Sequence, residues 1–128
     1  MERVRDFMST ELTVLSPHEN VLWAMRKLID RGLSGAPVLD EHGGLAGVLT
    51  QRDCLTVAFR AGYHGDAVGS VSEYMTREVE TVGADMTLIE VIERFYRSPR
   101  RRFPVLEGVQ VVGLISRRDV LRAFLEMI

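Results

Sequence analysis

The chain has 128 residues, 46% of them apolar and 27% charged, a globular composition that excludes an extended disordered chain. Sixteen basic and eighteen acidic residues leave a formal charge of −2, so no global field draws it onto nucleic acid or anionic lipid. One cysteine, Cys54, excludes an internal disulfide framework and a cysteine-based zinc site.

The first residues, Met1-Glu2-Arg3-Val4-Arg5-Asp6, are too charged for a signal peptide. No apolar run approaches the ~20 residues that span a bilayer, so a soluble, cytoplasmic protein without membrane contact is expected. Thr13-Val14-Leu15 reads as a short extended segment. Ser16-Pro17-His18-Glu19 reads as a capping box with proline at the first helical position, which predicts a helix start there. Apolar residues at 21, 24, 25, 28 and 29 give that helix one buried face, ended near Gly32. Strands are expected over Ala36 to Asp40 and Leu45 to Thr50, joined by Glu41-His42-Gly43-Gly44, with a second helix from Gln51. A glycine-spaced stretch from Ala61 to Ser70 reads as a connection, giving copies over 1–62 and 71–128 with a linker at 63–70. The same pattern then returns: Glu80-Thr81-Val82 extended, a helix stopping before Ser98-Pro99, and strands over Phe103 to Leu106 and Val109 to Ser116. Glu107-Gly108 is the expected turn, and a last helix starts near Arg117.

The return is a tandem duplication. Val4-Arg5-Asp6-Phe7-Met8-Ser9 lies over Val71-Ser72-Glu73-Tyr74-Met75-Thr76, and Pro37-Val38-Leu39 over Pro104-Val105-Leu106, at one constant offset. After one residue is dropped from the turn, Gly47-Val48-Leu49-Thr50-Gln51-Arg52-Asp53 lies over Gly113-Leu114-Ile115-Ser116-Arg117-Arg118-Asp119. A register that survives a gap marks a repeated β-α-β-β-α unit, too small to hold a comfortable core alone.

Two residue sets carry candidate chemistry. Thr50-x-x-Asp53 and Ser116-x-x-Asp119 sit where a strand meets a helix. A hydroxyl there can donate to a phosphate, and a carboxylate can accept from ribose hydroxyls. The same residues also suit a plain helix cap. Fifteen of the sixteen basic residues are arginine, and Arg97, Arg100, Arg101 and Arg102 cluster without an acid between them. Guanidinium forks suit phosphate oxygens, although such a run is also a common solvated loop.

Met-Ser/Thr, β-α, Pro-Val, hairpin, Gly and Thr/Ser-x-x-Asp, present twice, resemble a pair of cystathionine β-synthase (CBS) motifs over essentially the whole chain. The resemblance implies an α/β (α+β) fold of two motifs packed with pseudo-twofold symmetry. It also implies two clefts for an adenine nucleotide (AMP, ADP or ATP) or S-adenosylmethionine, used to sense a ligand and regulate a partner protein. No catalytic residues, cofactor or metal are implied. The first cleft would unite Thr50 and Asp53 with Thr76, Val79, Arg101 and Arg102. The second would unite Ser116 and Asp119 with Thr10, Leu12, Ser34 and Gly35. Arg52 and Arg118 are further candidate phosphate contacts. Only the first cleft gains two guanidinium groups before the proline, so it is expected to be the tighter site. Family members commonly bury their flanking helices between two pairs, so a homodimer is expected.

Two other readings stand beside this one. The first is a ligand-free interaction and dimerisation module, for which Trp23, beside the apolar helix face, is a candidate contact. The second is single-stranded nucleic-acid binding, which needs aromatics beside the arginines. Only Phe103 and Tyr96 are near, both at core-type positions. Cys54 reads as a core residue. His18, His42 and His64 match no metal-ligand spacing.

Overall fold

The computed structural model describes residues 2–64 and 69–128. The chain forms two compact units, one of residues 13–79 and one of residues 1–12 with 80–128. The compact units therefore do not follow the sequence copies. The opening arm of each copy belongs to the unit built from the body of the other.

In the unit of residues 13–79, α2 (Val21–Asp30) is followed by β1 (Gly35–Leu39), β2 (Leu45–Thr50) and α3 (Gln51–His64). The strands β1 and β2 are antiparallel, with Gly35 opposite Thr50. Leu15 bridges Val38 in parallel on one edge, and Thr76 bridges Val48 on the other. Leu15, Val21, Ala24, Leu28, Val38, Leu49 and Val57 form the core under this sheet.

The other unit repeats that order. It holds the single turn α1 (Val4–Phe7), then β3 (Val82–Gly83), α4 (Leu88–Arg97), β4 (Arg102–Glu107), β5 (Gln110–Ser116) and α5 (Arg117–Met127). β3 runs parallel to β4, β4 pairs antiparallel with β5, and Ser9 bridges Leu114 on the far edge. Phe95 and Phe103 stack at 4.4 Å between centroids in its core, where the first unit has Leu28 and Ala36.

A glycine explains each edge bridge. A Cβ at Gly47 would lie 2.6 Å from the Thr76 carbonyl oxygen, and one at Gly113 would lie 2.6 Å from Met8 Sδ and 2.9 Å from the Ser9 carbonyl oxygen. Only a residue without a side chain lets the Met-Ser/Thr arm cross the strand so closely.

Several sequence expectations need correction. The first long helix starts at Val21 rather than at Ser16-Pro17, because the Asn20 side chain caps it by accepting from Leu22 N at 2.8 Å. Ser16 N does donate to Glu19 Oε1 at 2.9 Å, but that bond closes a turn ahead of the helix. The strand expected at Thr13-Val14-Leu15 shrinks to the Leu15 bridge, since only Leu15 there reaches the β1 edge. α3 runs on to His64, past the start of the expected linker at 63–70, and residues 65–68 of that linker lie outside the described residues. The last hairpin turns on Gly108-Val109, because Glu107 pairs with Gln110 and Gly108 takes the positive φ of 62°. Ile29 and Tyr96 are 67% and 90% exposed, so the buried helix face is narrower than the apolar pattern. Tyr96 is thus a surface residue, while Phe103 is fully buried.

Candidate functional site

In the unit of residues 13–79, β2 runs directly into α3, and the junction is closed by two reciprocal bonds. Thr50 N donates to Asp53 Oδ2 at 2.9 Å, and Asp53 N donates to Thr50 Oγ1 at 3.1 Å. This satisfies two backbone donors at the helix start and fixes both side chains. The Thr76 hydroxyl then donates to Asp53 Oδ1 and Oδ2 at 3.2 and 3.3 Å. Thr76 arrives there because its backbone exchanges both bonds with Val48, each at 2.9 Å. Val79, half-buried, closes this run of chain.

Three of the sequence candidates, Thr50, Asp53 and Thr76, are therefore in direct contact. Ser34 and Gly35 lie in the same unit, with Gly35 opposite Thr50 and the Ser34 carbonyl accepting from Gln51 N at 2.8 Å. Cys54 follows Asp53 and is buried; burial first, and the Asp53 carboxylate second, push its thiol upward. That leaves it protonated and unreactive at neutral pH.

The unit of residues 1–12 and 80–128 builds the same junction between β5 and α5. Ser116 N donates to Asp119 Oδ2 at 2.9 Å, and Asp119 N donates to Ser116 Oγ at 3.1 Å. Ser9 takes the place of Thr76 and is held by backbone bonds to Leu114; Thr10, exposed, and Leu12, half-buried, follow it in the arm. No hydroxyl bonds to Asp119 as Thr76 does to Asp53 among the described residues; Arg122 Nη1 lies 4.0 Å from its Oδ1. Arg101 and Arg102 are exposed at the start of β4, where Arg102 pairs with Ser116. Arg52 and Arg118 are exposed on the first turns of α3 and α5. Both Thr/Ser-x-x-Asp sets thus act as caps, and both aspartates are half-buried.

Sequence reasoning passed over Gln51 and Arg117, which stand directly after Thr50 and Ser116. Both bond to the loop ahead of the proline in their own unit. Their shared position in the repeat was the available signal.

The CBS domain family profile matches residues 4–60 and again residues 71–126. The chain belongs to the CBS domain family. Among curated relatives, the A-adding tRNA nucleotidyltransferase of Aquifex aeolicus is 30% identical over 97% of this chain but only 14% of its own length. The CBS domain-containing protein YhcV of Bacillus subtilis is 29% identical over 94% of this chain and 84% of its own. The pair thus occurs as a small part of a large enzyme and as most of a small protein. Among solved structures, CBSX2 of Arabidopsis thaliana in complex with AMP is 26% identical with a TM-score of 0.84, covering 99% of this chain and 98% of its own. The CBS domain pair of protein MJ0100, solved with 5-methylthioadenosine and S-adenosylmethionine, is 25% identical with a TM-score of 0.76, covering 100% and 99%. No described helix is long and apolar enough to cross a membrane, and no group of three metal-ligating side chains gathers among the described residues.

Proposed function

We propose that this CBS pair is a regulatory module that binds an adenine nucleotide and carries out no reaction itself. The observation that carries this reading is the Thr50–Asp53–Thr76 cluster, which holds an ionisable carboxylate in one fixed orientation at a strand-to-helix junction. A carboxylate so fixed is suited to accept from the two hydroxyls of a ribose. The likeness to CBSX2, whose structure contains AMP, supports the adenine nucleotide over other ribosides. As the resemblance implies, Asp53 with Thr50, Thr76 and Val79 takes the nucleoside, and Arg101 and Arg102 take the phosphates. Asp119 with Ser116, Thr10, Leu12, Ser34 and Gly35 serves a second, weaker site. Ligand binding then shifts an existing equilibrium between arrangements that a partner protein reads.

Titration calorimetry with adenosine, AMP, ATP and S-adenosylmethionine tests this. Asp53→Ala should weaken every ribose-bearing ligand, and the Arg101→Ala, Arg102→Ala double variant should bring AMP down towards adenosine. Each lost charge-assisted bond is worth about 1.5–3 kcal/mol. Loss of the tight site on Asp119→Ala instead of Asp53→Ala would overturn the assignment, and no binding of any adenine ligand would overturn the function.

Assembly as a homodimer belongs to the same reading. α3 exposes Leu55 and Phe59, the latter stacked on Tyr63 at 4.8 Å. α5 exposes Leu121 and Leu125 at the matching repeat positions, with Phe124 beside them. Light scattering at tens of micromolar should give twice the 14.4 kDa chain mass.

A further inference from the structure

The loop ahead of Pro104 carries Arg101 and Arg102, and in its own unit it is fastened from two sides. On the inner side, the buried Ser98 hydroxyl donates to Glu80 Oε1 at 3.1 Å and accepts from Arg100 N at 3.1 Å. On the outer side three bonds come from one residue, Arg117. Its N donates to the Arg101 carbonyl at 2.9 Å, its Nε to the Arg100 carbonyl at 3.1 Å, and its Nη2 to the Ser98 carbonyl at 3.2 Å. No carboxylate pairs with this guanidinium among the described residues, so its donors are spent on backbone. Gln51, at the same repeat position, does the equivalent work in the other unit. Its N donates to the Ser34 carbonyl and its Nε2 to the Leu33 carbonyl, both at 2.8 Å.

We infer that Arg117 is a positioning residue for phosphate recognition: it fixes the Ser98–Arg102 backbone from which Arg101 and Arg102 are presented. Gln51 fixes Leu33–Gly35 in the same way. The physical reason is preorganisation. Arg101 and Arg102 have long, exposed side chains that lose freedom when they close on an anion. A backbone already held in place removes a second ordering cost from that step. The two loops are equally long, but the Arg117 guanidinium reaches two carbonyls, of Arg100 and Ser98, whereas the Gln51 amide reaches only that of Leu33. The role in phosphate recognition rests on the reading that Arg101 and Arg102 meet phosphate. The fastening itself does not depend on that reading.

Two measurements on the full chain separate these points. In hydrogen exchange, Arg117→Ala should speed exchange of the amides at 98–102, while Arg117→Gln, which copies the residue at 51, should restore most of the protection. In titration calorimetry, Arg117→Ala should lower the ratio of AMP to adenosine affinity by roughly tenfold while leaving adenosine affinity in place. Arg117→Gln should recover the ratio although it carries no charge. Unchanged exchange at 98–102 in Arg117→Ala would overturn the inference whatever the ligand does. So would an Arg117→Gln variant that binds AMP as poorly as Arg117→Ala, because Arg117 would then act by its charge. A parent chain that binds AMP no better than adenosine would instead overturn the phosphate role of Arg101 and Arg102, and exchange would still decide the fastening.

Discussion

The two units have the same strand order and differ in how they are closed. Residues 13–79 are one unbroken run, and the edge arm at 71–76 is held mainly by burial. Val71 is fully buried, Met75 is 8% exposed, and Arg60 lies over the Tyr74 ring at 5.3 Å. The other unit is closed by the start of the chain, with all of residues 13–79 between its two pieces. Its arm buries Val4 but leaves Met8 only partly covered, and it relies on charge. Arg5 bonds Asp85 at 2.7 Å and Glu107 at 3.1 Å, and Arg3 donates to the Asp85 carbonyl at 2.7 Å. The repeat therefore conserves geometry while the forces that maintain it change.

The largest test of that difference is in the cores. Phe103→Ala removes a fully buried ring stacked on Phe95 and should cost about 3–5 kcal/mol. Hydrogen exchange should rise most in residues 80–128 and in the arm at 2–9. Equal loss of protection throughout 13–79 would show that the chain unfolds as a single cooperative body.

The edge glycines sharpen the comparison. Gly47→Ala and Gly113→Ala should each cost about 1–3 kcal/mol in denaturant unfolding, by overpacking. Gly47→Ala should cost more. Both meet a backbone carbonyl oxygen, but that of Thr76 lies at 2.6 Å and that of Ser9 at 2.9 Å, and the closer Met8 thioether at Gly113 can swing aside. A costlier Gly113→Ala would mean that the terminal arm is the more rigid of the two.

The smallest effect is in acid. The Arg5 hydrogen bond, then its charge, holds the Asp85 carboxyl below the ordinary value of 3.8. The ionised pair contributes fully above that value, and the contribution is lost as pH falls through the lower folded value. Protection factors for residues 2–9 should therefore fall in strong acid before those for 71–76. Both groups are exposed, so the change should be modest.

Much of the fold was legible in the residues themselves. The duplication placed β2, α3 and α5, because a glycine, two apolar residues and a Thr/Ser-x-x-Asp junction specify a strand running into a capped helix by local bonding alone. The Gly32 and Ser98 helix ends were equally local, set by a positive φ and by the following Pro99. The start of α2 was misread because Ser16–Glu19 and Asn20 both offer caps within five residues, and local chemistry does not choose between them. Ile29 and Tyr96 were misread because apolar period gives a helix face but not how much of it a neighbour covers. The family resemblance, not the residues alone, implied that Thr76 of one copy meets Asp53 of the other. What only the tertiary structure decided is the bonding that makes this meeting and the fastening of the pre-proline loops by Gln51 and Arg117. The loop fastenings end on backbone carbonyls, which every residue carries, so no residue pattern can assign them.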